Sequence, residues 1–133
     1  MKLVYFGYAY TDDPIKRTAE IKLLIENLLK VRTDIIPFVP HLAFDLLIGT
    51  PEGYSSVYVL EWELEVISRC DAVCFPPLQS PSNRLCGIFW ETAFSRHISV
   101  PEYQYEDLLA GTEIRDDVAE EIIREAEREL MIV

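Results

Sequence analysis

Residues 2–8, KLVYFGY, are a run rich in β-branched and aromatic side chains, and TDDP follows almost at once. This junction narrows the possible folds more than any other stretch. The run reads as a strand. Asp13 ahead of Pro14 is a helix-start signal, with aspartate as the cap and proline at the first helical position, where its missing N–H is no loss. IKRTAEIKLLIENLLK then places Ile21, Leu24, Ile25, Leu28 and Leu29 at helical spacing.

The alternation continues along the chain. DIIPFVP (34–40) reads as a second strand, whose Pro37 and Pro40 mark an edge position or an early end. HLAFDLLIGTPEG (41–53) reads as a long, rather apolar loop of the kind that forms lids or binding loops. YSSVYVLEWELEVISRC (54–70) is predicted helical, with Val59, Trp62, Val66 and Ile67 on one side. DAVCFPP is a third strand ending at Pro76 and Pro77, and LQSPSNRL leads into a helix around Gly87 to His97. ISVPEY is a short fourth strand. Residues 112–131 close the chain as an amphipathic helix, with Ile114, Val118, Ile122, Ala126 and Leu130 along one stripe.

Strands alternating with helices predict an α/β fold with a mainly parallel sheet of about four or five strands. The 133 residues fit one domain, 1–133, with no linker, repeat or low-complexity run. In such sheets ligands bind beyond the carboxyl ends of the strands. That brings the loops 8–14, 40–54 and 77–87 together.

The net charge of −11 disfavours nucleic acid, whose affinity for proteins comes largely from Lys and Arg neutralising phosphates. It also disfavours an anionic membrane surface, and no apolar run approaches a membrane span. Much of the charge lies in EIRDDVAEEIIREAEREL, a solvated helix face. Cys70, Cys74 and Cys86 are odd in number, sit in apolar surroundings and lack metal-ligand spacing. They read as buried free thiols in a reducing, cytoplasmic setting. The N-terminal run reads as a strand and not as a signal peptide.

GIFWETAF (87–94) sets one carboxylate inside an apolar stretch. At ~100° per residue, Phe89, Trp90, Ala93 and Phe94 fill a broad apolar arc, and Ile88 lies on the far side of Glu91. The stripe of Glu91 itself holds only Gly87 and Ser95. Helical side chains lean toward the N-terminus, and Gly87 has none to cover Glu91. Glu91 is therefore expected exposed at the mouth of a helix start, where it could attack or take a proton. The plain alternative is a first-turn glutamate favoured by the helix dipole. Glu61, Glu63 and Glu65 alternate along one helix, so at least two face water and one can face the crevice.

Together VYFGYAYTDDP, PFVPHL, ELEVISRCDAV and the G-x-x-x-E of GIFWE resemble the nucleoside 2-deoxyribosyltransferase-like superfamily. That superfamily includes deoxynucleoside monophosphate N-glycosidases and small uncharacterised relatives. The resemblance runs from about residue 2 to 101 and implies a flavodoxin/Rossmann-like three-layer sandwich. It also implies a glutamate nucleophile four residues after a glycine, here Glu91 after Gly87. Glu63 stands where the family pattern has aspartate, and Tyr5 matches the first-strand tyrosine, followed by Phe6 and Gly7. Leu85 stands where family members usually carry Asp or Ser.

The chemistry so implied is cleavage or transfer at the N-glycosidic bond of a (deoxy)nucleoside or its 5′-monophosphate, by a hydrolase or a transferase. Glu91 is the nucleophile, Glu63 orients substrate or protonates the leaving base, and Tyr5 holds Glu91. Gly7, Tyr8, His41, Phe44, Ser82, Asn83, Gly87 and Trp90 are the candidates for substrate binding, with Tyr8, Phe44 and Trp90 set against a flat base. Arg84 in the loop 77–87 is a phosphate candidate, and Arg17 reads as an exposed helix residue. No metal and no cofactor are expected, and relatives of this kind are usually homo-oligomers. The competing readings are a non-catalytic nucleotide-binding module on the same fold and a structural protein whose helices pair with partners.

Overall fold

The computed structural model describes residues 1–9, 13–40, 42–44, 56–79, 88–115 and 125–131, of which 56–58 and 88–89 by their backbone alone. Three parallel strands form the sheet, β1 (Lys2–Phe6), β2 (Ile35–Phe38) and β3 (Ala72–Cys74), in the order β2-β1-β3. β1 is central. It pairs Lys2 with Ile35 and Tyr5 with Phe38 on one side, and Val4 with Ala72 and Phe6 with Cys74 on the other. Being paired on both edges and covered on both faces, Val4, Tyr5 and Phe6 are fully buried.

The pleat sends alternate side chains to opposite layers. Val4, Phe6 and Tyr8 pack with Ile21, Leu24, Ile25 and Leu28 of α1 (Pro14–Leu29). Tyr5 and Val73 pack with Ile67 of α2 (Ser56–Ile67) and with Phe94 of α3 (Ile88–His97). The result is the three-layer α/β sandwich that the alternation of strands and helices implies. α1 starts as its sequence predicts: Pro14 is its first residue and the Asp13 carboxylate accepts the Lys16 N–H at 3.3 Å. Of its predicted stripe, Leu29 alone turns to solvent.

Three predicted elements differ. The fourth strand shrinks to a single parallel bridge between Val73 and Glu102, so the described sheet has three strands. Val73 N–H donates to the Pro101 carbonyl and Tyr103 N–H to the Val73 carbonyl, both at 2.9 Å. Pro101 has no N–H and Ser99 has φ 61°, so the ladder goes no further. The predicted loop at 41–53 opens helically: Pro40 and residues 42–44 are helical, and the rest lies outside the described residues. A short helix, α4 (Tyr105–Leu109), was not foreseen, and 112–115 after it are not helical. Ile114 is buried in the core from that non-helical stretch, whereas 125–131 are helical and exposed. Among the described residues no helix is long and apolar enough to cross a membrane.

Arg32 ties this C-terminal stretch to the sheet. At 6% exposure it makes a two-pronged pair with Asp34, at 3.0 and 2.8 Å, and donates Nη1 to the carbonyls of Leu108 and Thr112. The guanidinium holds the Asp34 carboxyl below its usual range. Arg69 and Glu65 pair at 2.9 Å with both side chains largely in water. The two pairs are expected to differ in worth. Arg32→Met takes one donor from each of two carbonyls and the cation from Asp34, and is expected to lower the unfolding free energy by about 2–4 kcal/mol in urea titrations. Arg69→Gln is expected to change it by less than about 0.5 kcal/mol.

Candidate active site

The site begins with a buried acid. Glu91, in the first turn of α3, is 4% exposed. Its expected position at an open helix mouth is therefore corrected: the carboxylate points into the protein. The helix is rotated relative to the apolar-arc reading. Trp90 is 59% exposed and Ala93 is exposed, whereas the stripe of Glu91 and Ser95 faces inward, with Ser95 at 0%. Burying a carboxylate costs several kcal/mol unless it is partnered (on the order of 2–7 for polar groups, more for ions), so the partners decide this orientation.

Those partners come from the sheet and from the neighbouring helix of the same layer. The Tyr5 hydroxyl, on the central strand, donates to Glu91 Oε1 at 2.5 Å. Glu63, on α2, sits close enough to both Glu91 and Tyr5 for each to act on its carboxyl. The alternation of acids on α2 resolves as spacing predicts: Glu61 and Glu65 face solvent and Glu63, two residues from each, faces the site. Two carboxyl groups in contact cannot both ionise freely and share a proton. Burial first, then the hydrogen bond and the negative charge of Glu91, push the Glu63 carboxyl up from 4.5 to about 9. Glu63 is thus an acid that keeps its proton at neutral pH. The Tyr5 phenol is raised too, by burial first and then by Glu91 and Glu63, so it remains a donor.

Gly7 closes the site from below. A Cβ on Gly7 would lie 2.6 Å from two ring carbons of Phe75 and 3.0 Å from Glu91 Oε2. The strand can therefore lie against the carboxylate only because this residue has no side chain. An aromatic wall runs away from Tyr5. Its ring stacks on Phe38 at 5.9 Å, Phe38 meets Phe44 edge-on at 5.9 Å, and Phe44 meets Trp62 at 5.5 Å. Trp62 directly precedes Glu63, so the wall returns to the acid pair.

The fold brings together Tyr5, Gly7, Glu63 and Glu91, with Phe44 reached through Phe38. Tyr8 sits elsewhere: it is 2% exposed in the α1 layer, and its hydroxyl accepts the Gln79 N–H at 3.0 Å. Arg17 is 1% exposed, which corrects its reading as a solvated helix residue. Cys70 and Cys74 are buried free thiols, both pushed up to about 12 by burial. His41, Ser82, Asn83, Gly87, Arg84, Leu85 and Cys86 lie outside the described residues. Phe38, Trp62 and Phe75 were not foreseen. The pairing of Phe38 with Tyr5 follows from strand register, and Trp62 from its place beside Glu63. Among the described residues no three His, Cys, Asp or Glu side chains gather as a metal site would require.

No protein-family model and no curated protein matches the chain. Solved structures do. A 2-deoxyribosyltransferase from Leishmania mexicana superposes with a TM-score of 0.52 at 18% identity, over 78% of this chain and 63% of the enzyme. A 2-deoxyribosyltransferase from Bacillus psychrosaccharolyticus gives 0.51 at 16% identity, over 77% of this chain and 70% of the enzyme. The chain has a nucleoside 2-deoxyribosyltransferase-like fold. It spans less than two thirds of the Leishmania enzyme's length.

The acid pair makes stability pH-dependent. The folded state keeps a proton on Glu63 that the unfolded chain sheds above about pH 4.5. This contribution is complete below that pH and is lost as pH rises toward about 9. Urea unfolding at stepped pH is expected to show stability falling across that window, by at most about 1.4 kcal/mol per pH unit. Glu63→Gln, which keeps a donor and cannot ionise, is expected to flatten the fall. Gly7→Ala is expected to cost about 1–3 kcal/mol, because Phe75 or Glu91 must move.

Proposed function

We propose that this protein cleaves or transfers at the N-glycosidic bond of a (deoxy)nucleoside or its 5′-monophosphate, with Glu91 as nucleophile. The observation that carries this reading is the buried cluster in which Tyr5 donates to Glu91 at 2.5 Å while Glu63 contacts the same carboxylate. It stands at the carboxyl end of the central strand, on a fold shared with 2-deoxyribosyltransferases. One acid that keeps its proton beside another that accepts hydrogen bonds is the division of labour that glycosyl transfer needs.

In the first step a Glu91 oxygen bonds to C1′ as the bond from C1′ to the base nitrogen breaks. The electron pair of that bond leaves with the base, and the Glu63 proton goes to the base. The Tyr5 hydroxyl keeps Glu91 aimed, and the carboxylate offsets the positive charge that grows on the sugar. In the second step water, or the nitrogen of an acceptor base, attacks C1′ and the Glu91 ester opens. Glu63, now ionised, takes the proton from the attacking group. Water gives a hydrolase and a base gives a transferase. Phe44, with Phe38 and Trp62 behind it, forms the wall for the flat base, and the exposed Trp90 stands at the entrance. Ser82, Asn83, Gly87 and His41 complete substrate binding on this reading. The protein acts on a small molecule without a cofactor, as a homo-oligomer. The free thiols of Cys70 and Cys74 suit a cytoplasmic setting.

The 4% exposure of Glu91 favours one other reading, a nucleotide-binding module in which the carboxylate only binds. Incubation with 2′-deoxynucleosides and their 5′-monophosphates, with and without a free acceptor base, separates the two. Wild type is expected to release or exchange base. Glu91→Ala is expected to lower kcat by on the order of 10³-fold or more, and Glu63→Gln by about 10²- to 10⁴-fold. The rate is expected to fall as pH rises past about 9, where Glu63 loses its proton. Binding of the same compounds without turnover would instead support the binding module.

A further inference from the structure

Arg17 heads the fully buried side chains by size, at 1% exposure, and the reaction above does not use it. A guanidinium is seldom buried without partners to offset its lost hydration. Its Nη1 donates to Glu20 Oε1 at 2.8 Å, one turn along α1, and its charge lies near enough to the Tyr8 phenol to act on it. The same phenol oxygen accepts the backbone N–H of Gln79 at 3.0 Å. The phenol oxygen therefore takes a donor from the segment beyond β3 and lies beside the Arg17 charge of α1, while its own residue extends β1. Three parts of the fold meet at it.

Among the described residues the segment it holds has few other anchors. Pro76 and Pro77 have no N–H to donate, and the Gln79 side chain turns back to the Pro77 carbonyl at 3.0 Å. Phe75 opens this segment, and its ring fills the space at Gly7 beside Glu91 Oε2. At 1% and 2% exposure, Arg17 and Tyr8 present no face to a ligand, so their effect on the site passes through what they hold. The planar fork of arginine suits this task, because it reaches a carboxylate at fixed angles beside the phenol.

We propose that Arg17, acting through the Tyr8 hydroxyl, is a positioning residue that holds residues 75–79 against the carboxyl end of β1 and so fixes the Phe75 ring beside Glu91. The link from the Tyr8 hydroxyl to Gln79 stands on geometry. Its consequence for catalysis rests on the proposed function.

The test compares wild type with Tyr8→Phe, Arg17→Met and Arg17→Lys. Amide exchange of Gln79, read by NMR, is expected to quicken about tenfold in Tyr8→Phe and Arg17→Met, with part of the protection restored in Arg17→Lys. With 2′-deoxynucleosides as substrates, KM is expected to rise several-fold while the pH profile set by Glu63 stays in place. A purely structural role would instead lower the amount of active protein and leave KM unchanged. Unchanged Gln79 exchange in both Tyr8→Phe and Arg17→Met overturns the hold, and quickened exchange with unchanged KM overturns its role at the site. If Arg17→Met does not fold, Tyr8→Phe, which removes a single oxygen, decides alone. A wild type without turnover defeats the proposed reaction instead, and Gln79 exchange with the NMR line of the Phe75 ring then decides the hold.

Discussion

Glu91 can be buried at 4% exposure because the hydroxyl of Tyr5 is waiting for it. Tyr5 is itself fixed by β1, which is paired along both edges and covered on both faces. The strand cannot shift by one residue without sending every side chain to the opposite layer. The phenol is therefore a rigid donor, and α3 settles with its polar stripe of Glu91 and Ser95 against the sheet. α2 completes the arrangement by adding Glu63 to the same carboxylate. A contact among three side chains thus sets how two helices sit on the sheet.

The same contact gives the site its chemical character. Burial, and then the neighbouring Glu91, keep the proton on Glu63 at neutral pH. Glutamate at position 63 has a longer arm than the aspartate of the resembled family, and here it reaches both Tyr5 and Glu91. Gly7 matters for a related reason. The carboxylate and the Phe75 ring occupy the space that any side chain at position 7 would need. Much of the charge of −11 lies in the C-terminal stretch, and Glu61 and Glu65 turn to water. The polarity of the site is set locally by three residues.

Much of the scaffold was legible in the sequence because local signals agreed with one another. The Asp13–Pro14 start of α1, the strand at KLVYFGY and the single inward acid among Glu61, Glu63 and Glu65 each rest on spacing and capping that act within one element. The orientation of α3 was not legible in the same way. Its apolar arc argued for Trp90 and Ala93 inward, and both are exposed. The partner that reverses this, Tyr5, is eighty-six residues away in sequence, so no local pattern contains it. Arg17 and Tyr8 follow the same rule. Each looks ordinary in its own segment, and their meaning comes from Gln79, which the fold brings to Tyr8. The fourth strand failed for a local reason, since Pro101 and Ser99 interrupt the ladder. The short α4 was missed because five residues carry little periodicity.

The claim on which the rest depends is that Glu63 keeps its proton beside Glu91 and the Tyr5 hydroxyl. It is tested most directly by an NMR pH titration of the Glu63 side-chain carboxyl carbon, in protein labelled with ¹³C at that position and assigned with Glu63→Gln. The expected result is a Glu63 carboxyl that stays protonated through neutral pH, with an apparent midpoint near 9. A Glu63 midpoint in the ordinary carboxylate range, near 4.5, would contradict it. Glu63 would then be a solvated group, and the site would lack the proton donor on which the proposed chemistry relies.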